Sequence, residues 1–174
     1  MSETMPKEKW SEEQIRRRMG ELGEEIRKDA GDDPILLIGV LKGAGCFLAD
    51  LIRVIPGEVS YEFIDVIRDV ADTSVAEAME IDFLTHFDMR GKRVYLLKDV
   101  VTTGVIENYL LGQFRQRNPA HLELVALIDR PTQRTVEIPV RYRAFQADDG
   151  TFVGYGLEAG GRWGNLPYLA IIRG

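Results

Sequence analysis

The chain has 174 residues, a formal net charge of -6 and a sequence isoelectric point near 5.1. With 45% hydrophobic and 29% charged residues, it has the composition of one soluble globular domain with a real hydrophobic core. The acidic balance argues against a nucleic-acid partner, because phosphate backbones are held by clustered Lys and Arg. A small-molecule partner is therefore expected.

No stretch of the sequence predicts a membrane segment or a secretory signal. The longest apolar runs, such as residues 35–41, fall far short of the roughly 20 residues needed to span a bilayer. The first ten residues, MSETMPKEKW, are polar, so a cytoplasmic location is expected. Cys46, the single cysteine, lies among apolar residues and is expected to be buried and inert.

The first half of the chain predicts two helices and two strands. Apolar residues recur at helical spacing from 11 to 29, with Ser11 as a plausible N-cap. Residues 35–41, ILLIGVL, form the continuous apolar run of a strand covered on both faces. A helix is expected over CFLADLIRVI and a strand over residues 59–67. Residues 68–89 are expected to form an acidic, partly helical insertion.

The second half continues the alternation of strands and helices. The pattern predicts strands over 93–101 and 122–129, a helix over IENYLLGQFRQR, and short strands in VRYRAFQ and TFVGYGL. Such alternation indicates a mostly parallel α/β sheet with right-handed crossovers. Ligands bind such sheets at the carboxyl ends of the strands, which directs attention to the turns KGAG, DVVTTG and DRPTQR.

Two of these turns have the chemistry of anion sites. Thr102, Thr103 and Gly104 stand between a strand and a helix, where backbone amides and a hydroxyl suit a phosphate monoester. Lys42, beside two glycines, puts a cation and free amides at a second strand end. Two such sites at neighbouring strand ends indicate a ligand with two phosphate centres.

The same residues resemble the purine phosphoribosyltransferases, specifically the bacterial hypoxanthine (hypoxanthine-guanine) phosphoribosyltransferases. IGVLKGAGCFLADLIR, GKRVYLLKDVVTTG, ALIDRPTQR and FVGYGLEAGGRWGNLPYLAIIR are similar to the family's segments and occur in the same order. The resemblance implies the type I phosphoribosyltransferase fold over residues 1–174 as a single domain. Its hood would come from the N- and C-terminal segments and the 68–89 insertion.

The activity that the resemblance implies is transfer of 5-phosphoribose from its 1-pyrophosphate to a 6-oxopurine, with Mg²⁺ bound and pyrophosphate released. It also implies a homo-oligomer. Leu41, Lys42 and Gly43 match the pyrophosphate loop, and Thr103 and Gly104 match the cradle of the 5-phosphate. Asp99 matches one member of the acidic pair that holds the ribose hydroxyls, but Lys98 replaces the other, usually Glu.

Other matched positions depart from the family pattern. Thr102 stands where the family has the aspartate that acts as general base, so no catalytic residue is intact at that position. Arg130 replaces the lysine that reads the purine oxygen, and Glu158 replaces a metal-shell aspartate. The remaining departures are Thr151 in place of the stacking aromatic, Gly164 in place of an arginine on pyrophosphate, and Arg68-Asp69 in place of a Ser-Tyr lid pair.

Phe152 follows Thr151 directly and is, with Arg130, a candidate base-binding residue. A shift of one position would be needed to use it, and strand alternation would then point its ring the other way. Together the exchanges favour a weakly active or non-catalytic relative that binds phosphoribosyl pyrophosphate, a nucleotide or a partner subunit. The alternative is an active purine-salvage enzyme with compensating residues, and a further rival is regulation through RNA binding.

Overall fold

The computed structural model describes residues 5–68, 79–83 and 87–172. These residues form three α-helices, α1 (Glu12–Ala30), α2 (Gly45–Val54) and α3 (Val105–Arg115), and one 3-10 turn, Pro131–Gln133. The strands within the described ranges are β1 (Lys7–Trp10), β2 (Ile35–Val40), β3 (Val59–Arg68), β4 (Met79–Phe83), β5 (Arg93–Val101), β6 (His121–Asp129), β7 (Tyr142–Gln146), β8 (Thr151–Val153) and β9 (Leu169–Ile172).

Helix α1 begins where the sequence predicts. The Gln14 backbone N–H donates to Ser11 Oγ at 3.2 Å, and the Ser11 backbone N–H donates to Gln14 Oε1 at 2.8 Å. This reciprocal capping box satisfies two backbone donors at the first turn. The apolar positions Ile15, Met19 and Leu22 are buried on one face, which confirms the predicted amphipathic helix.

The main sheet has six strands in the order β4-β3-β2-β5-β6-β7. Strands β3, β2, β5, β6 and β7 run parallel, and β4 pairs antiparallel with β3. All six residues of β2 are buried, as expected for a strand inside a sheet covered on both faces. The predicted parallel α/β sheet is therefore confirmed.

Two apolar cores cover the two faces of this sheet. Along β5, Tyr95 and Leu97 pack in the core that contains residues of α1 and α2. Val94 and Leu96 pack in the other core, together with the buried face of α3. The alternation of side chains along one strand thus separates the layers and leaves the strand ends for ligands.

A second, antiparallel sheet joins the two ends of the chain in the order β1-β9-β8. Its contact with the main sheet is aromatic: the Trp10 ring stacks on Phe145 at 4.5 Å and on Phe152 at 5.9 Å between centroids. The sequence pattern does not predict β1 or β9. Three of the four residues of β1 are exposed, so its sequence lacks the apolar alternation of a strand.

Part of the predicted insertion over residues 68–89 is a strand. Residues 79–83 form β4, an antiparallel strand whose Ile81 pairs with Val66, and not a helix. The backbone of 69–78 and 84–86, including Asp69 of the expected lid position, lies outside the described residues. A hood that includes this segment stays a prediction. No helix in the described part of the chain is both long and apolar enough to cross a membrane.

Candidate functional site

The candidate site lies where the order of the parallel strands reverses. From β2 the sheet continues through β3 on one side and through β5 and β6 on the other, so β2 and β5 flank a topological switch point. A cleft of about 340 Å³ opens there, at the carboxyl ends of both strands. Such crevices are the ligand sites of open α/β sheets. The cleft is lined by Lys42, Gly43, Asp99, Val100, Phe152, Gly156, Leu157 and Glu158.

Gly43 and Asp99 bring the turn after β2 into contact with the last residues of β5. A Cβ atom built on Gly43 would lie 2.6 Å from Cγ and 2.8 Å from Cβ of Asp99, closer than real Cβ atoms approach. The peptide bond between Leu41 and Lys42 in the same turn is cis. The absence of a side chain at 43 therefore allows the predicted pyrophosphate loop to lie against the predicted ribose-binding carboxylate.

Replacing Gly43 with alanine is expected to weaken binding of phosphoribosyl pyrophosphate by about tenfold or more. The added methyl must displace Asp99 or the turn, and such overpacking costs about 1 to 3 kcal/mol. Isothermal titration calorimetry measures the loss. Gly45→Ala is the matched control, since a Cβ at Gly45 meets no atom within 4 Å. Equal affinities for the two variants would contradict the prediction.

The two carboxylates in the cleft are each paired with a lysine. Lys42 Nζ donates to Glu158 Oε2 at 2.9 Å, and Lys98 Nζ forms a close ion pair with Asp99 Oδ1. The Lys98 and Asp99 side chains are only 15% and 22% exposed, whereas Lys42 is 78% exposed. The lysine that replaces the expected acid therefore neutralises its neighbour.

These pairs bear on Mg²⁺, which the resemblance implies at Glu158. Mg²⁺ is usually held by one or two carboxylates plus substrate phosphates, so the number of carboxylates is adequate. Asp99 is held in a largely buried pair with Lys98, whereas the pair of Glu158 with Lys42 is solvated and easily exchanged. Within the described ranges, no group of three or more His, Cys, Asp or Glu side chains is placed to hold a metal. Glu158 is therefore the residue of the cleft that would hold Mg²⁺, together with the phosphates of a substrate.

The turn between β5 and α3 forms the N-terminus of α3. Gly104 is the N-cap of α3 in the left-handed conformation, with φ of 85°, which glycine adopts without steric penalty. The Val105 backbone N–H lies 3.4 Å from Thr103 Oγ1. Thr103 is exposed, so its hydroxyl and the first backbone amides of α3 are available to an anion.

Residues 134–136, which follow β6, hold this turn through hydrogen bonds to its carbonyl groups. The backbone N–H groups of Thr135 and Val136 both donate to Thr103 O at 3.0 Å. Arg134 Nη1 donates to Thr102 O at 2.9 Å, and its Nη2 pairs with Asp129 Oδ1. The conformation of the predicted phosphate cradle is thus fixed through its carbonyl groups.

Asp129 is the buried carboxylate that holds the Arg134 side chain in place. Its side chain is 2% exposed and accepts hydrogen bonds from Arg134 and, at 3.0 Å, from Arg143 Nη1. The sequence analysis marked DRPTQR as a turn but missed the roles of Asp129 and Arg134. Two cations converging on one carboxylate from different elements leave no signal in the spacing along the chain.

The predicted purine-binding residues lie next to each other. The guanidinium carbon of Arg130 lies 5.5 Å from the centroid of the Phe152 ring, and Arg130 Nη2 donates to the carbonyls of Asp148 and Gly150 at 3.0 Å. Phe152 is 6% exposed and lines the cleft. The prediction that its ring points away from the site is therefore wrong.

The pairing of β8 with β9 explains why the Phe152 side chain faces the cleft. Phe152 pairs with Ile171 in the antiparallel sheet, and its ring packs against Trp10 on the inner side. Thr151 is exposed and lines a separate surface cavity with Lys7 and Lys9. The aromatic residue of the cleft is thus Phe152, one position later than the matched position.

Cys46 is exposed, so the expected burial is also wrong. It lies in the first turn of α2, and a Cβ built on Gly156 would lie 3.2 Å from its Sγ. Partial desolvation raises the pKa of the thiol, and the nearby Asp50 carboxylate raises it further. A raised pKa lowers the fraction of thiolate, which agrees with an unreactive cysteine.

The fold and the cleft define the class of this protein: an open α/β sheet with a crevice at its switch point. Residues 11–159 match the model of the phosphoribosyl transferase domain, and the chain belongs to that family. The expected type I phosphoribosyltransferase fold is confirmed by solved structures.

Individual relatives extend this match over nearly the whole chain. The hypoxanthine-guanine phosphoribosyltransferase of Bacillus subtilis is 33% identical over 165 residues, which covers 94% of this chain and 91% of that protein. The crystal structure of a Bacillus anthracis hypoxanthine-guanine phosphoribosyltransferase has a TM-score of 0.89 at 30% identity, covering 98% of this chain and all of that one. The Trypanosoma cruzi hypoxanthine phosphoribosyl transferase has 29% identity and a TM-score of 0.89, covering 99% and 93%. These relatives favour the active-enzyme alternative over the non-catalytic interpretation.

Proposed function

We propose that this protein transfers 5-phosphoribose from its 1-pyrophosphate to a 6-oxopurine and releases pyrophosphate. The observation that carries the proposal is the cleft at the switch point, where the turn after β2 meets the last residues of β5. Lys42 and Gly43 line it after β2, and Asp99 lines it near the end of β5, a few residues before the predicted phosphate cradle. A ligand with phosphate groups at both ends of a ribose has the charge pattern for this arrangement. The names of the relatives agree with the proposal.

Each part of this substrate has residues in or next to the cleft that would bind it. Thr103 and the first amides of α3 hold the 5-phosphate, and Asp99 accepts hydrogen bonds from the ribose hydroxyls. Lys42 is exposed and its pair with Glu158 is open to solvent, so its ammonium can move onto the pyrophosphate. Phe152 offers a ring face to the purine, and Arg130 stands beside that ring.

The reaction breaks the bond between ribose C1 and the pyrophosphate oxygen, and pyrophosphate leaves with the electron pair. The purine nitrogen attacks the oxocarbenium-like carbon and then loses its proton. Charge stabilisation by Lys42 and positioning in the cleft support the first step. Thr102 cannot accept the proton near neutral pH, so water takes it. General acid–base catalysis contributes about 10²- to 10⁴-fold, and turnover is expected to be slower by a factor in that range than with a positioned base.

A nucleotide-forming assay tests this function. Purified protein with phosphoribosyl pyrophosphate, Mg²⁺ and hypoxanthine, guanine or xanthine is expected to form nucleotide from at least one base. Asp99→Asn sets the background, because it keeps the shape of the side chain but removes the charge opposite the ribose. Rates that equal this background for all three bases, with substrate binding retained in calorimetry, would support the non-catalytic interpretation instead.

Four further expectations belong to this proposal. A homo-oligomer is expected from the resemblance, and the description of the Trypanosoma cruzi structure concerns the oligomeric state of that protein. Phosphoribosyl pyrophosphate or a nucleotide is the expected small-molecule partner. The cytoplasmic location and the single domain over residues 1–174, with its hood, stay predictions from the sequence.

A further inference from the structure

We propose that Trp10 is a positioning residue for the purine, because its ring holds Phe152 and, through Phe152, the guanidinium of Arg130 beside the cleft. The inference rests on the proposed function, which assigns the purine to Phe152 and Arg130. Its structural basis is a column of three aromatic rings and one guanidinium that joins the small antiparallel sheet to the main sheet.

The rings of this column are nearly parallel. Trp10 of β1 stacks on Phe145 of β7, with centroids 4.5 Å apart and planes inclined by 22°. It also stacks on Phe152 of β8, at 5.9 Å and 23°. The guanidinium carbon of Arg130 lies 5.5 Å from the centroid of the Phe152 ring. Trp10 is thus the ring that ties Phe152 and the neighbouring guanidinium to the main sheet.

A register shift in β1 places Trp10 in this column. Glu8 pairs with Ala170 of β9, and Trp10 pairs with Leu169, so the ladder shifts between Glu8 and Trp10. Without the shift, Lys9 would lie opposite Leu169. Since paired residues share a face of the sheet and Leu169 is fully buried, the shift turns the indole to the interior. Such shifts re-aim side chains and are over-represented beside active sites.

The orientation of the Arg130 guanidinium depends on the ring that Trp10 holds. Arg130 Nη2 donates to the carbonyls of Asp148 and Gly150 at 3.0 Å, which fixes one edge of the group. Its Nε is buried and has no hydrogen-bond partner among the described residues. Rotation about the bonded edge is therefore limited by packing on Phe152, and the position of Phe152 is limited in turn by Trp10.

Titration calorimetry with inosine 5′-monophosphate and with phosphoribosyl pyrophosphate tests the inference. Both ligands carry ribose 5-phosphate, but only the first carries a purine. Trp10→Leu keeps an apolar side chain and removes the ring. It is expected to bind inosine 5′-monophosphate about five- to tenfold more weakly, and phosphoribosyl pyrophosphate within about twofold of the unmodified protein. Trp10→Phe, which restores a ring, is expected to recover most of the lost affinity.

Steady-state kinetics give a second readout of the same variant. In Trp10→Leu the KM for hypoxanthine is expected to rise by about the same five- to tenfold factor, with kcat and the KM for phosphoribosyl pyrophosphate within about twofold. A purely structural role would lower kcat through loss of folded enzyme and leave both KM values unchanged.

A double-mutant cycle tests whether Trp10 acts through Phe152. Phe152→Leu alone is expected to weaken binding of inosine 5′-monophosphate at least as much as Trp10→Leu. Adding Trp10→Leu to that variant is expected to cause less than about twofold further loss, because the ring that Trp10 holds is already gone. Additive losses would show that Trp10 acts independently of Phe152 and would overturn the inference.

Ile26→Ala is the matched control for lost packing. Ile26 is fully buried in the same apolar core, in the part of α1 that leads to the amino end of β2. The variant is expected to lower Tm and to leave both affinities within about twofold, because the affinities are measured at a temperature at which it is folded. Thermal unfolding fixes that temperature for every variant. A loss of affinity for inosine 5′-monophosphate as large as in Trp10→Leu would overturn the inference.

The outcomes separate the inference from the proposed function. Nucleotide formation with equal affinities of Trp10→Leu and the unmodified protein, or with equal losses for both ligands, would overturn the inference and leave the function standing. A loss confined to inosine 5′-monophosphate, in a protein that forms no nucleotide from any base, would support the inference and count against the function. No binding of inosine 5′-monophosphate by the unmodified protein would overturn both.

Discussion

Replacing Thr102 with aspartate is expected to raise the rate of nucleotide formation by about 10²-fold, the lower end of what a general base contributes. The carboxylate would take the purine proton that the threonine hydroxyl cannot accept. The main chain at this position is held by the hydrogen bond from Arg134 Nη1 to Thr102 O. The exchange therefore introduces a carboxylate next to Thr103 without altering the backbone that carries it. The steady-state rate with hypoxanthine, at saturating phosphoribosyl pyrophosphate, measures the gain.

Thr102→Asn is the control for this gain, because asparagine has the shape of aspartate but cannot act as a base. The pH profile gives an independent readout. Without a base, the rate should rise with pH as the ring N–H of the free purine ionises, and aspartate should flatten that rise near neutral pH. If asparagine raised the rate as much as aspartate, the gain would come from polarity and not from proton transfer.

Adding Lys98→Glu to this variant is expected to give only a partial further gain. Gly164 stands where the family places an arginine on the pyrophosphate, and a Cβ there would lie 2.7 Å from Cγ of Glu158. An arginine cannot be introduced at 164 unless Glu158 moves away from Lys42. The exchanges at 158 and 164 are therefore coupled through direct contact, which makes them poor candidates for repair one at a time.

Local patterns predict the central part of this fold. The strand expected over 93–101 has those bounds in the structure, because a continuous apolar run between polar turns defines a buried strand without reference to the rest of the chain. Strands β1 and β9 were missed for the opposite reason. Each is four residues long, and Lys7 pairs with Ile171 across almost the whole sequence. Neither has a pattern that defines it alone.

The candidate site likewise has some residues that the sequence predicts and others that it does not. Its turns follow from the alternation of strands and helices together with the family resemblance, so Lys42, Asp99 and Thr103 could be found in the sequence. The orientation of Phe152 could not, because it depends on which face of β8 packs against Trp10. The partners of Lys98 and Glu158 also required three-dimensional contacts.

Replacing Asp129 with alanine is expected to lower the free energy of unfolding by about 3 kcal/mol, since breaking a buried ion pair leaves an uncompensated charge. Asp129 is 2% exposed, and the Arg134 side chain that it holds is 14% exposed. For a chain of this size, the loss corresponds to a fall in Tm of about 10 °C. Thermal and urea unfolding monitored by circular dichroism measure both quantities.

Asp33→Ala is the matched control for stability. Asp33 pairs with Arg93 at 3.5 Å with a side chain that is 64% exposed, and such surface pairs contribute about 0 to 1 kcal/mol. The difference between the two variants therefore isolates the effect of burial.

Asp129→Ala also tests whether the ion pair between Asp129 and Arg134 affects ligand binding. Without Asp129, Arg134 loses the carboxylate that orients it toward Thr102 O, and the cradle at Thr103 and Gly104 is held less firmly. At a temperature where Asp129→Ala is fully folded, affinity for phosphoribosyl pyrophosphate should still fall by about tenfold, because the ligand must then order the cradle. Reduced stability with unchanged affinity would mean that Asp129 serves the fold alone, and that the backbone bonds from Thr135 and Val136 suffice to shape the cradle.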